Sequence, residues 1–250
     1  MPLLKIIALN DYTQLLVWKI TETFDELFQS VALKDVSLAR LENMKAESHQ
    51  KGFLSVRRLL MEAGYTDFNL NYDQFGKPHL SEIPNSKLQI PNFIPKLRDQ
   101  IPNTNNPKSE TRNPKHISIS HSHDFSIIVV SDFSVGVDLE ILKVKTLKLA
   151  PRYMDVSHLE NLSENDQLIK ATVVWGIKEA VFKIKNEIGI SFKDHIFENN
   201  FNLEDKKCTV ELRIEDSVEH FNVIFDFIEN YVFVCAFNAV PLRLASSKKK

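Results

Sequence analysis

Glycine is the residue that most limits what this chain can build. Only six occur in 250 residues, Gly52, Gly64, Gly76, Gly136, Gly176 and Gly189, and no two lie closer than twelve positions. A Walker A loop and a dinucleotide-binding turn each need glycines within a few positions, so both are excluded. Any phosphate this chain handles must meet side chains, with or without a metal ion, rather than a glycine cradle. The remaining composition is that of an ordinary globular chain, 43% hydrophobic and 26% charged, long enough for one large domain or two small ones. A net charge of −2 offers no excess of positive charge to a nucleic acid.

Two cysteines, Cys208 and Cys235, are too few for a disulfide framework or a cysteine-rich zinc site, which suits a cytoplasmic location. The apolar start, Met1 to Leu9, is interrupted by Lys5 and reads as a first strand rather than a signal peptide. No run approaches the length of a membrane-spanning helix, so no membrane contact is expected.

The chain divides into two halves, 1–115 and 116–241, with a basic tail at 242–250. In the first half, apolar spacing predicts a helix over Ser37–Ala63 stopped by Gly64. A strand over Tyr65–Tyr72 leads into the turn Asp73–Pro78. The Pro-, Asn-, Lys- and Ser-rich segment 84–114 reads as an exposed, mobile insertion. The second half opens with alternating His116–His121, then Phe125–Ser131, whose Ile127–Val130 run predicts burial on both faces. Val135–Glu140 follows as a third strand. A long helix runs from Ser163, its N-cap, to about Glu187 and ends at Gly189. Cys208–Ile214, Phe221–Ile228 and Tyr231–Phe237 read as antiparallel strands. The fold class is α+β, with antiparallel sheets and a helix packed on each half.

The third strand of the second half carries the first candidates for chemistry. Side chains alternate along a strand, so Val135, Val137 and Leu139 share one face while Asp138 and Glu140 share the other. Carboxylates two positions apart stand roughly 7 Å apart, close enough to repel unless a cation lies between them. Mg²⁺ prefers such oxygen ligands together with substrate phosphates; the plainer alternative is a solvated strand end. The long helix has one apolar stripe of Val173, Ile177, Val181, Ile184 and Ile188, and a second of Leu168, Trp175 and Phe182. Glu179 and Lys183 lie one turn apart beside the second stripe, at a largely buried seam. They are either a simple helical ion pair or part of a site, because buried charges need partners or a metal.

Taken together, Gly136-Val137-Asp138-Leu139-Glu140 and Trp175-Gly176-Ile177-Lys178-Glu179-Ala180-Val181-Phe182-Lys183, with 41 positions between Asp138 and Glu179, resemble the paired signature of the 4′-phosphopantetheinyl transferases. Gly76-Lys77-Pro78 and Ile119-Ser120-His121-Ser122 precede them in the order of that family. The resemblance runs from about Leu54 to Lys183 and departs from the pattern at Gly176, where a slightly larger small residue is usual. The chain length resembles the larger Sfp-type group, which implies two similar subdomains related by pseudo-twofold symmetry, with the site between them in a monomer.

The resemblance implies a Mg²⁺-dependent transfer of the 4′-phosphopantetheine group from coenzyme A to a serine of an apo acyl or peptidyl carrier protein, releasing 3′,5′-ADP. Asp138, Glu140 and Glu179 match the metal-holding positions. Glu179, or a water it holds, is placed to take the serine proton, and Lys183 contacts the phosphates. Lys77, Pro78, Ser120 and His121 match residues lining the nucleotide and phosphate end of coenzyme A, and Arg57 matches a basic position on the first-half helix. Lys178 lies in the motif and reads as structural. Lys143, Lys145, Lys148 and Arg152 offer either a docking face for an acidic carrier or an ordinary solvated face. Two other readings stay open. One is a non-catalytic coenzyme A or carrier-protein binding protein; the other is a Mg²⁺-dependent phosphoesterase using the same carboxylates.

Overall fold

The structure, a computed structural model, describes residues 3–81 and 115–238. The segment 84–114 and the tail 242–250 lie outside the described residues. The chain mixes helices with antiparallel sheets, as its sequence predicts.

Strands β1 (Leu3–Asn10) and β2 (Thr13–Lys19) form a hairpin. Helices α1 (Phe24–Gln29), α2 (Asp35–Glu42) and α3 (Glu47–Glu62) follow, then a short hairpin of β3 (Leu70–Tyr72) and β4 (Pro78–Leu80). Next among the described residues come β5 (His116–Ser122), β6 (Phe125–Ser131) and β7 (Val135–Ile141). Helix α4 (Val144–Leu149), two short 3₁₀ turns, the long α5 (Glu164–Lys185) and a single-turn α6 (Phe192–His195) lead to β8 (Ile196–Glu198). The described chain ends in β9 (Lys207–Ile214), β10 (Ser217–Ile228) and β11 (Tyr231–Asn238). One sheet has the order β1-β2-β6-β5 and the other β7-β11-β10-β9-β8, with every pairing antiparallel.

Three expectations change. The helix over Ser37–Ala63 is two helices, broken at Asn43–Ala46, where the Asn43 side chain donates to the Ala39 carbonyl and ends α2. The apolar spacing runs on across the break because Leu41 and Leu54 pack in one cluster with Leu27 of α1. Only Leu70–Tyr72 of the Tyr65–Tyr72 stretch is a strand. Ahead of it, Asn69 Oδ1 accepts from the Thr66 amide and hydroxyl, a local turn that competes with extended pairing. Finally, α5 ends at Asn186 in the left-handed conformation (φ 52°) rather than at Gly189, and Ile188, 89% exposed, leaves the apolar stripe. At its other end Ser163 caps as predicted, accepting from the Asp166 amide.

Where the sequence divides the halves at 115/116, the sheets divide later: β5 and β6 complete the first sheet, and β7 begins the second. Burial follows strand parity. Leu16, Trp18, Ile117 and Ile128 cluster with Val56, Leu59 and Leu60 of α3. Leu15, Val17, Ile127 and Val129 point the opposite way and cluster with Val135, Val137, Leu139, Phe233 and Cys235 of the second sheet. Val232, Val234 and Ala236, on the far face of β11, join Val173, Ile177, Val181 and Ile184 of α5. Of the Ile127–Val130 run, Ile127, Ile128 and Val129 are buried on both faces as expected, while Val130 is only half-buried.

Candidate functional site

The parity of β7 sends Asp138 and Glu140 toward α5. Two glycines set how near the helix comes. A Cβ on Gly136 would stand 1.9 Å from the Ala180 carbonyl oxygen, and one on Gly176 would stand 2.7 Å from Val234 Cγ2. Real Cβ atoms do not approach so closely, so α5 lies against β7 and β11 only because these positions lack side chains. Gly176, the one departure from the family pattern inside the helix motif, therefore has a packing reason.

This close approach buries Asp138, 4% exposed, beside Lys183. Lys183 Nζ donates to Asp138 Oδ1 at 2.7 Å and to the Val137 carbonyl at 2.9 Å. The Ser120 hydroxyl donates to the same Oδ1 at 3.0 Å and accepts from the Leu139 amide at 3.2 Å. Asp138 Oδ2 is buried with no hydrogen-bond partner, an arrangement that leaves one carboxylate oxygen able to accept a further ligand. The helical ion pair between Glu179 and Lys183 does not form; the lysine turns to Asp138 instead, and among the described residues Glu179 forms no ion pair.

Glu140 accepts from Trp175 Nε1 at 3.0 Å. Trp175 is itself held edge-on between Tyr153 and Phe192, with ring centroids 5.1 and 5.5 Å away. Burial, and after it the neighbouring Asp138, push the Glu140 carboxyl up to about 7 against the pull of the indole hydrogen bond. Glu179 is raised for the same two causes, with Lys183 opposing. The three acids thus feel one another. Yet among the described residues no three His, Cys, Asp or Glu side chains stand together closely enough to hold a metal ion.

Beside the acids lies a pocket of about 330 Å³ between α2, α3, the β3–β4 hairpin, β5 and the end of α5. Arg57, Lys77, Pro78, Ser120, His121 and Lys183, all named from sequence, line it. Their roles there differ. Lys77 reaches the C-terminal end of α5 and donates to the Ile184 carbonyl, and burial lowers its pKa. His121 lies on the face of Ile117 and Ile119 at the open end of β5, near His49 (centroids 6.3 Å apart) and against Gly52 of α3. Partial burial, followed by the charges of His49, Lys183 and Arg40, lowers its pKa. Arg57 is 3% exposed and already neutralised: Nε donates to Asp67 at 3.0 Å while the guanidinium lies 3.4 Å from the Phe53 ring centre. It builds the wall rather than offering a free charge.

Sequence reasoning missed Arg40, whose guanidinium faces the rings of Tyr72 and Phe53 at 5.2 and 5.8 Å at the pocket and has no acidic partner among the described residues. No motif surrounds it, and the β3–β4 hairpin that completes its surroundings lies thirty residues on. A larger depression, about 520 Å³, is lined by Asn199–Asn202, Thr209, Asn222 and Phe237 and contains none of the predicted residues. Among its amide and apolar side chains it holds a single lysine, Lys207, with Asp205, whereas the smaller pocket gathers Arg40, Arg57, Lys77 and Lys183 and is the candidate site.

No protein-family model matches the sequence, and no curated protein is significantly similar to it. The functional reading therefore rests on the motifs and on this geometry.

Proposed function

We propose that this protein transfers the 4′-phosphopantetheine group of coenzyme A to a serine of an apo acyl or peptidyl carrier protein, with Mg²⁺, releasing 3′,5′-ADP. One observation carries the reading. Lys77-Pro78, Ser120-His121 and Lys183 come from three distant stretches of chain and line one pocket, at whose edge Lys183 meets the buried Asp138. The pseudo-twofold arrangement of two sheet-and-helix halves, a monomeric state and a cytoplasmic location belong to the same proposal.

By its chemistry the all-carboxylate donor set suits a divalent cation, although the three acids stand apart in this arrangement. Asp138 Oδ2 is buried without a partner, and two further acids have raised pKa values beside it. Asp138, Glu140 and Glu179 would hold the ion. When bound, it would offset negative charge on the transferred phosphate.

The chain's own groups do the rest. Arg40, Lys77 and Lys183 attract the phosphates of coenzyme A, and His121, with its lowered pKa, offers a neutral hydrogen-bonding edge. The carrier serine oxygen forms a bond to the β-phosphorus as the bridging oxygen departs with 3′,5′-ADP. The serine proton passes to a Glu179 carboxylate oxygen or to a water held there.

The test is the mass of an apo carrier after incubation with this protein, coenzyme A and Mg²⁺. A gain of one phosphopantetheine is expected, and Asp138→Ala and Glu179→Ala should each abolish it without changing the far-UV circular dichroism. No gain with fatty-acid, polyketide or peptide carriers would end the proposal. The dispersed placement of the three acids favours a second reading, a coenzyme A binding protein without turnover. Calorimetric binding of coenzyme A without product would select that reading.

A further inference from the structure

The acids at the site are held by very little positive charge. Among the described residues, the one ion pair made by Asp138, Glu140 or Glu179 is that of Asp138 with Lys183. Lys183 reaches past Glu179 to Asp138. Its side chain is 28% exposed, whereas that of Asp138 is 5% exposed. The ammonium therefore enters the carboxylate cluster from an open side, on a flexible stem. It also lines the pocket with Ser120 and His121, which Asp138 does not.

We infer that Lys183 is an exchangeable counter-ion, which neutralises Asp138 when no divalent cation is present and is displaced toward the pocket when one binds. The inference rests on the proposed function only in taking Asp138, Glu140 and Glu179 as a cation site. Two charges of the same sign cannot both stand against Asp138 without mutual repulsion. The ammonium has somewhere to go, and the cation does not. Ser120 makes the exchange feasible. Its hydroxyl donates to Asp138 Oδ1 and accepts from Leu139 N, so the carboxylate stays oriented after the lysine leaves. The vacant Oδ2 offers a place for the cation to begin binding. Displaced, Lys183 adds its charge to Arg40 and Lys77 around the pocket, so cation binding strengthens anion binding there, and the converse follows by linkage.

The experiment uses the full chain and Mn²⁺ alone, with free Mn²⁺ followed by electron paramagnetic resonance. Lys183→Met and Lys183→Gln remove the competing charge and should each bind Mn²⁺ about tenfold more tightly than the unmodified chain, a change of about 1.4 kcal/mol. Lys183→Arg, which keeps the charge, should show no such gain. Equal or weaker Mn²⁺ binding by Lys183→Met and Lys183→Gln, with the unmodified chain still binding the ion, overturns the exchange and leaves the cation site standing. No binding by any of these proteins overturns both the exchange and the metal part of the proposed function. A second measurement needs no variant of Lys183: acylation of its amine by an N-hydroxysuccinimide ester, mapped by mass spectrometry. Mg²⁺ should accelerate modification at Lys183 severalfold in the unmodified chain and not in Asp138→Asn, and an unchanged rate in the unmodified chain counts against the exchange. Neither measurement involves a carrier protein, so failure of the transfer assay would not be mistaken for failure of the exchange.

Discussion

At Gly136 and Gly176, single missing side chains decide how the candidate site is assembled. At Gly136 an added methyl would meet the Ala180 carbonyl, a backbone atom inside α5 that cannot turn aside. Gly136→Ala should therefore destabilise the chain by more than about 2 kcal/mol, at the upper end of overpacking effects. At Gly176 the obstacle is the Val234 side chain, with Cγ2 at 2.7 Å and Cβ at 3.2 Å, rather than backbone, and alanine recovers up to about 1 kcal/mol of helix propensity. Gly176→Ala should thus destabilise the chain less than Gly136→Ala does, because a side chain and not the backbone must give way. Urea denaturation of the two variants side by side checks the contrast; equal midpoints would show that α5 is not held against β7 at Gly136. His121 supports a different prediction at the same scale. Its pKa lies below the ordinary 6.5 because of partial burial and nearby cations. As pH falls through 6.5 the unfolded chain takes up a proton that the folded chain does not, so stability decreases on acidification and is independent of this group above that range. His116, also lowered by burial, contributes in the same direction. Replacing His121 with Asn should remove part of the acid sensitivity in thermal melts between pH 5 and 7, and an identical pH profile would refute the assignment.

At the scale of elements, α5 is oriented from both sides. Lys183 reaches β7, while Lys178, 1% exposed, donates to the Ile196 carbonyl and to Glu198 of β8. Glu198 is buried too and faces His158 Nδ1 at 3.5 Å. Removing one member of a buried pair leaves the other charge stranded, so Lys178→Met should cost about 3–5 kcal/mol. The double change Lys178→Met with Glu198→Leu should recover most of that loss, which a double-mutant cycle in urea would measure; no recovery would mean that the lysine acts mainly by packing. Lys178 thus fits the structural role read for it from sequence. Much of this element was legible beforehand, because Ser163 is a local capping signal and two apolar stripes run along the 22-residue helix. Strand parity likewise placed Asp138 and Glu140 on one face. What sequence could not supply depends on partners distant in the chain. Nothing in His116–Ser131 says that β6 pairs with β2, or that β5 ends that sheet rather than pairing with β7. Nothing around Arg40 reveals that Tyr72 will lie beneath it. The choice of Asp138 over Glu179 as the partner of Lys183 follows from the approach of β7 to α5, which helical spacing alone does not contain.

At the scale of the whole molecule, the site depends on how the two sheets meet. Their facing sides share one cluster, in which Leu15, Val17 and Ile127 pack with Val137, Leu139 and Phe233. Beside that cluster, β5 and β7 meet through serine hydroxyls rather than a strand ladder. Ser118 Oγ accepts from the Val137 amide at 2.9 Å, and Ser120 Oγ does the same for Leu139. Both sheets therefore lose buried apolar area and amide partners if they part, so neither is expected to persist without the other. Trp18 on β2 and Trp175 on α5 lie on opposite outer sides of this interface and can report on each side separately. In single-tryptophan variants, Trp18→Phe and Trp175→Phe, the fluorescence transition in urea should coincide with the far-UV circular dichroism transition of the same variant. Ser118→Ala strands a buried amide at the seam and should lower both midpoints together, by about 1–3 kcal/mol in stability. If the Trp18 and Trp175 reporters instead melt apart, the first sheet and the second fold independently. The pocket between them would then be a docking surface of two domains rather than a site built into one cooperative core.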